Sequence, residues 1–116
     1  MSEPSTQQRL VVVILSKAQL VDELITGFLD MGVSGATVVE SRGMGQIIRQ
    51  DMPMFAGLVS LFPETTGSRT VMSVVPEEMV DQIFDLVDEI VGDLEGANSG
   101  VCFSLPVDKF RGVRKK

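Results

Sequence analysis

Gly32-Val33-Ser34-Gly35-Ala36-Thr37-Val38-Val39-Glu40-Ser41-Arg42-Gly43-Met44-Gly45 is the stretch on which the fold turns. It closes a helix, runs a strand and opens the longest irregular segment of the chain. Gly32 ends an apolar periodicity, as a residue that tolerates the left-handed conformation does at a helix end. Thr37-Val38-Val39 is a β-branched run bounded by glycines and reads as a strand. Gly43 and Gly45 bracket Met44, where a backbone without Cβ either turns sharply or lets a ligand approach closely. For a lone Gly-X-Gly the plain turn is the commoner meaning.

Upstream, Arg9-Leu10-Val11-Val12-Val13-Ile14-Leu15 is short, β-branched and nearly all apolar, which suits a central strand. Ser16 and Gln19 have the form of a capping box, so a helix is expected from Lys17. Leu20, Val21, Leu24, Phe28 and Met31 recur at steps of three and four, putting one apolar stripe on the sheet, with Asp22, Glu23 and Asp30 in water. Residues 1–8 are polar, lack an apolar signal core and are expected to form a flexible tail.

Downstream, Gln46 to Ser68 has no period-2 pattern and contains Pro53, Gly57, Pro63 and Gly67, so it reads as a long loop. Met52, Met54, Phe55, Leu58, Val59, Leu61 and Phe62 are unusually apolar for such a loop and demand burial. Met52, Phe55, Val59 and Phe62 have the spacing of a short amphipathic helix between the two prolines. Arg69 to Val75 is a strand. Pro76-Glu77-Glu78 then opens a helix, with proline in the first turn and acids at the positive end of the dipole. Met79, Val80, Ile83, Phe84, Val87, Ile90 and Val91 form its buried stripe, and Gly92 is its stop. Gly96 to Gly100 is a small-residue turn, and Val101 to Leu105 is a last strand ended by Pro106. Residues 107–116 make a basic tail in which Lys115 and Lys116 are expected in solvent.

Leu20-Val21-Asp22-Glu23-Leu24 matches Met79-Val80-Asp81-Gln82-Ile83, so the chain reads as two strand-helix-strand units. Two such units with right-handed crossovers give an α+β ferredoxin-like βαββαβ sandwich, a four-stranded antiparallel sheet with two helices on one face. Residues 9–116 form one domain, with an insertion at 46–68. The uncovered sheet face, if apolar like the first strand, calls for another subunit.

Composition narrows the function. The chain has 116 residues and a formal charge of -6, so nucleic acid is not an expected partner. It contains no histidine, tyrosine or tryptophan, which excludes Ser-His-Asp catalysis and histidine-ligated zinc. Most carboxylates fall at helical spacings between Glu77 and Glu95, as a solvated face does. No enzyme, cofactor or metal site is expected. The single Cys102 forms no intramolecular disulfide and reads as a small core residue, and the seven methionines read as packing. These features suit a cytoplasmic protein, with no apolar run long enough to span a membrane.

From Leu10 to about Arg114 the sequence resembles the PII nitrogen-regulatory signal-transduction family. The opening stretch is similar to the family's Gly-Ile-X-Gly-X-Thr-Val-X-Glu-X-X-Gly-Phe-Gly segment at the base of its T-loop. Val74-Val75-Pro76-Glu77-Glu78 and the closing Gly-X-X-Phe strand also correspond. The resemblance implies a homotrimer that binds ATP, ADP or AMP between subunits and controls a partner protein, such as a membrane transporter, through its T-loop. It places nucleotide or anion contacts at Thr37, Gly43, Gly45, Asn98, Ser99, Gly100, Arg111 and Arg114. Partner contacts would fall on Met52, Met54, Phe55, Leu58, Leu61 and Phe62.

Departures from the family pattern are specific. Its phosphate-binding Gly-X-Gly-Lys turn reads Asn98-Ser99-Gly100-Val101 here, and its Arg-X-Arg pair reads Gly112-Val113-Arg114. A triphosphate needs backbone N–H groups and several cations, so a ligand with less charge fits these residues better. The family's T-loop glutamine falls on Ile47, beside Gln46, and the absence of tyrosine excludes tyrosine uridylylation. The ending Leu-Pro-Val-Asp-Lys-Phe is similar to cyclic-di-AMP-binding relatives in the same superfamily. A trimeric scaffold without nucleotide binding is the alternative of a different class.

Overall fold

A computed structural model of the chain describes residues 7–33, 35–61, 68–92 and 100–112, with the side chains of 56 and 59–61 left aside. Its elements are β1 (Gln8–Leu15), α1 (Leu20–Met31), β2 (Thr37–Ser41), α2 (Met44–Asp51), a 3-10 segment (Pro53–Leu61), β3 (Ser68–Pro76), a 3-10 turn (Glu77–Met79), α3 (Val80–Val91) and β4 (Gly100–Val107). The strands form one antiparallel sheet in the order β2-β3-β1-β4. This is the ferredoxin-like sandwich expected from the two strand-helix-strand units.

Alternation along β1 decides which side is packed. Val11, Val13 and Leu15 point to the helices and join Val71 and Val75 of β3, Leu24 and Phe28 of α1, and Ile83 and Val87 of α3 in one core. Most of the remaining apolar residues predicted on the two helix stripes, among them Val21, Met31, Phe84 and Ile90, pack around it. The register puts Leu10, Val12 and Ile14 on the opposite face, beside Val74 and Met72 of β3 and Leu105, Phe103 and Val101 of β4. On β4 this face stands open, with Val101, Phe103 and Leu105 exposed by 55%, 41% and 44%.

Helix α1 ends as its glycine predicts. Gly32 takes φ 89°, its N–H donates to the Leu29 carbonyl at 3.2 Å, and the Val33 N–H donates to the Phe28 carbonyl at 2.9 Å. Those two bonds are a Schellman motif, and Phe28 and Val33 share the core as its accompanying apolar pair. Gly92 ends α3 at φ 68°, with its N–H on the Asp88 carbonyl at 2.8 Å.

Several boundaries differ from the sequence reading. Helix α1 begins at Leu20 rather than Lys17, because residues 17–20 form a turn closed by Leu20 N–H on the Lys17 carbonyl. Ser16 and Gln19 thus do not take the N-cap and N3 positions of a capping box. Pro106 does not end the last strand. It lies within β4, paired with Arg9, and β4 tolerates it as an edge strand whose outer side needs no donor. Gly43-Met44-Gly45 is no simple turn and residues 46–51 are no loop: extended Gly43 (φ -81°) is the N-cap of α2. Gly45 and Ile48 give α2 its buried side. The expected amphipathic helix between the prolines is a 3-10 segment broken at Phe55, where φ is -105° and ψ 18°, so its three-four spacing makes no stripe.

Replacing Gly32 by alanine forces a Cβ into the left-handed region. The expected cost is about 1–2 kcal/mol, read as a lower urea midpoint at unchanged m-value.

Candidate functional site

Where α1 hands over to β2, the chain turns along one wall of an open groove of about 550 Å³. Gly32, Val33, Gly35, Ala36 and Thr37 form that wall, Met72 to Val75 and Leu10 form the floor, and Phe110 lies beyond the end of β4. The volume falls in the range of small-molecule sites. No described lining residue carries a charge. A smaller apolar recess of about 140 Å³ adjoins it, sharing Val33, Gly35 and Ala36 and bounded by Ile25, Phe28 and Leu29.

One hydrogen bond holds the wall to the floor. Buried Ser73 donates from Oγ to the Gly35 carbonyl at 2.5 Å, tying the turn before β2 to the middle of β3. Sequence reading missed Ser73 and Phe110. Ser73 has a faint signal, as a hydroxyl among the apolar residues of a strand; Phe110 closes the Leu-Pro-Val-Asp-Lys-Phe ending noted above, but its place in the groove follows from where β4 ends.

The insertion is stitched at its base by hydroxyls. Ser68 Oγ donates to the Ser41 carbonyl at 2.8 Å, and Thr70 Oγ1 donates to Ser41 Oγ at 3.0 Å. Arg42 then clasps the far end of α2, with Nη1 3.0 Å from Gln50 Oε1 and Nη2 2.8 Å from Asp51 Oδ2. Gln46 keeps its Oε1 buried with no hydrogen-bond partner among the described residues. The apolar side chains of the insertion are not buried as expected: Met52, Phe55 and Leu58 are exposed, and Met54 is 81% exposed.

The predicted anion residues do not converge within one chain. Thr37 lines the groove. Gly43 caps α2 and Gly45 lies buried in its first turn, beyond Ser41 at the other end of β2. Gly100 opens β4 opposite Leu15, whereas the groove reaches β1 at Leu10. Arg111 is exposed beside Phe110. Asn98, Ser99, Arg114 and Phe62 lie outside the described residues, as does the side chain of Leu61. Cys102 faces the core, and burial pushes its thiol above the usual range, with the Asp88 carboxylate adding to the rise. Among the described residues no acidic, cysteine or histidine cluster is placed to hold a metal, and no helix is long and apolar enough to cross a membrane.

The chain is thus a small α+β sandwich with a ligand-sized groove and a helical insertion at the end of its second strand. The family model for nitrogen regulatory protein P-II matches residues 9–116, and the chain belongs to that family. Members are signal-transduction regulators, typically trimers that act on partner proteins. Among solved structures, Arabidopsis thaliana PII bound to citrate is similar at 20% identity and a TM-score of 0.63, covering 91% of this chain and 82% of that one. A functionally unknown protein from Pediococcus pentosaceus is similar at 18% identity and a TM-score of 0.64, covering 94% and 100%. No functionally curated protein matches the sequence significantly.

Ser73→Ala leaves the Gly35 carbonyl without its buried donor. The expected loss is about 1–3 kcal/mol of stability by urea denaturation, with faster amide exchange across residues 33–37.

Proposed function

We propose that this chain is a cytoplasmic PII-type regulator that takes an adenine nucleotide or cyclic di-AMP in the Gly35–Thr37 groove and signals through residues 44–61 to a partner protein. The groove carries this reading: it has the volume of a nucleotide site, lies against an open apolar sheet face and is uncharged where described. An uncharged groove holds a base, so the phosphates must meet cations elsewhere. Arg111 and Arg114 of a neighbouring subunit are the candidates, with Gly43, Gly45, Asn98, Ser99 and Gly100 supplying backbone donors. That division explains why one chain does not gather the set.

Threefold packing of the open face, around Val12, Val101, Phe103 and Leu105, would complete the site. The exposed Met52, Met54, Phe55 and Leu58 fit an adaptable partner surface, since methionine and phenylalanine repack readily. A membrane transporter is the partner class that the family resemblance suggests.

The test is a thermal-shift panel of AMP, ADP, ATP and cyclic di-AMP, with mass measured by light scattering. A true ligand at 100 times its Kd adds about 2.7 kcal/mol of native-state stability, and the mass should be that of three chains. No shift with any of the four would favour the scaffold reading, which the missing Gly-X-Gly-Lys turn supports; a monomer would defeat both. Deleting residues 52–62 should leave the melting temperature nearly unchanged and abolish capture of the partner. A large fall in melting temperature would make the loop structural.

A further inference from the structure

The groove is uncharged where described, and Phe110 is the one aromatic residue among its described lining. We propose that Phe110 is its base-gripping residue, stacking on the heteroaromatic base of a nucleoside-type ligand. This rests on the ligand-binding reading above and adds which part of the ligand the chain grips, and with which side chain.

Exposure is the first support. Phe110 keeps 56% of its surface open although it borders a floor made by Leu10, Met72 and Val74. A phenyl ring and an apolar floor together suit a flat ring, because stacking pairs π-faces and tolerates any base. Charge is the second. With no cation among the described lining residues, an anionic group gains nothing there, and the neutral end of a nucleotide is the part that loses least on desolvation.

Gly112 is the third support. A Cβ on residue 112 would stand 3.1 Å from Phe110 Cζ and 3.3 Å from Cε2, inside the 3.5–4.0 Å at which carbon atoms rest. In its present rotamer the ring edge thus lies closer to residue 112 than a side chain there would allow, so a Cβ at 112 would shift the ring. Phe110 and Gly112 act as a pair, and a change at either should alter affinity for the base.

Calorimetric titration of the full chain with adenosine, AMP and ribose 5-phosphate tests this. Adenosine should bind measurably though more weakly than AMP, whose phosphate reaches the cations, and ribose 5-phosphate should bind far more weakly than either. Phe110→Ala should weaken adenosine and AMP alike by roughly 5- to 100-fold, the usual effect of losing one base–aromatic stack. Phe110→Trp should preserve binding, and Gly112→Ala should weaken it with Phe110 intact. Melting temperature and mass should not change in any variant; if Phe110→Ala is unstable, Phe110→Leu replaces it and should show the same loss. Unchanged affinity in Phe110→Ala beside a binding wild type overturns the stacking role and leaves the ligand reading standing. A wild type that binds none of adenosine, AMP, ADP, ATP and cyclic di-AMP overturns both. A change of mass in place of affinity would mean that a second copy of the chain, and no base, covers Phe110.

Discussion

Strand β1 lies between β3 and β4 and presents apolar side chains to both sides of the sheet. Val11, Val13 and Leu15 are matched by α1 and α3, which bury them with Leu24, Phe28, Ile83 and Val87. Among the described residues no helix lies opposite Leu10, Val12 and Ile14. A chain with two packed helices can cover one sheet face, so the second face is left to its own neighbours Met72, Val74, Phe103 and Leu105. The hydrophobic effect that builds the core thus leaves a second apolar surface unpaid for within the chain.

β2 connects the two parts of the molecule with functional interest. Its first residue, Thr37, belongs to the groove, and its last, Ser41, belongs to the hydroxyl cluster with Ser68 and Thr70. From one to the other run the five residues of this edge strand, paired to β3 throughout. Beyond the cluster, the Arg42 clasp on Gln50 and Asp51 ties the far end of the eight-residue α2 back to the residue just after β2. The groove and the insertion are therefore joined by a short, continuous stretch of backbone with hydrogen bonds along its length.

The chemistry of the groove follows from the same economy of charge. Acidic residues such as Asp22, Glu23, Asp81, Asp85 and Glu89 sit on the outer sides of α1 and α3, away from the sheet. The described groove is left with apolar side chains, backbone groups and the hydroxyls of Thr37 and Ser73, of which Ser73 is already bonded to Gly35. Such a lining offers shape and apolar contact more than charge.

The sequence by itself determined the α+β class, the four strands, both packed helices and their glycine stops. Each rests on local physics: β-branched runs, three-four periodicity, and the left-handed conformation that glycine alone enters freely at Gly32. The family segment from Gly32 to Gly45 was legible for the same reason, since turn residues and strand residues alternate in fixed order. Tertiary structure decided the rest. Helix α2 was hidden because Gly43 and Gly45 read as breakers, whereas burial of Ile48 and the Arg42 clasp come from residues apart in sequence. Pro106 stayed in its strand because β4 is an edge, a fact of sheet order. Ser73 and Phe110 entered the site because β3 and the end of β4 are brought beside residues 35–37, and no local pattern encodes that proximity.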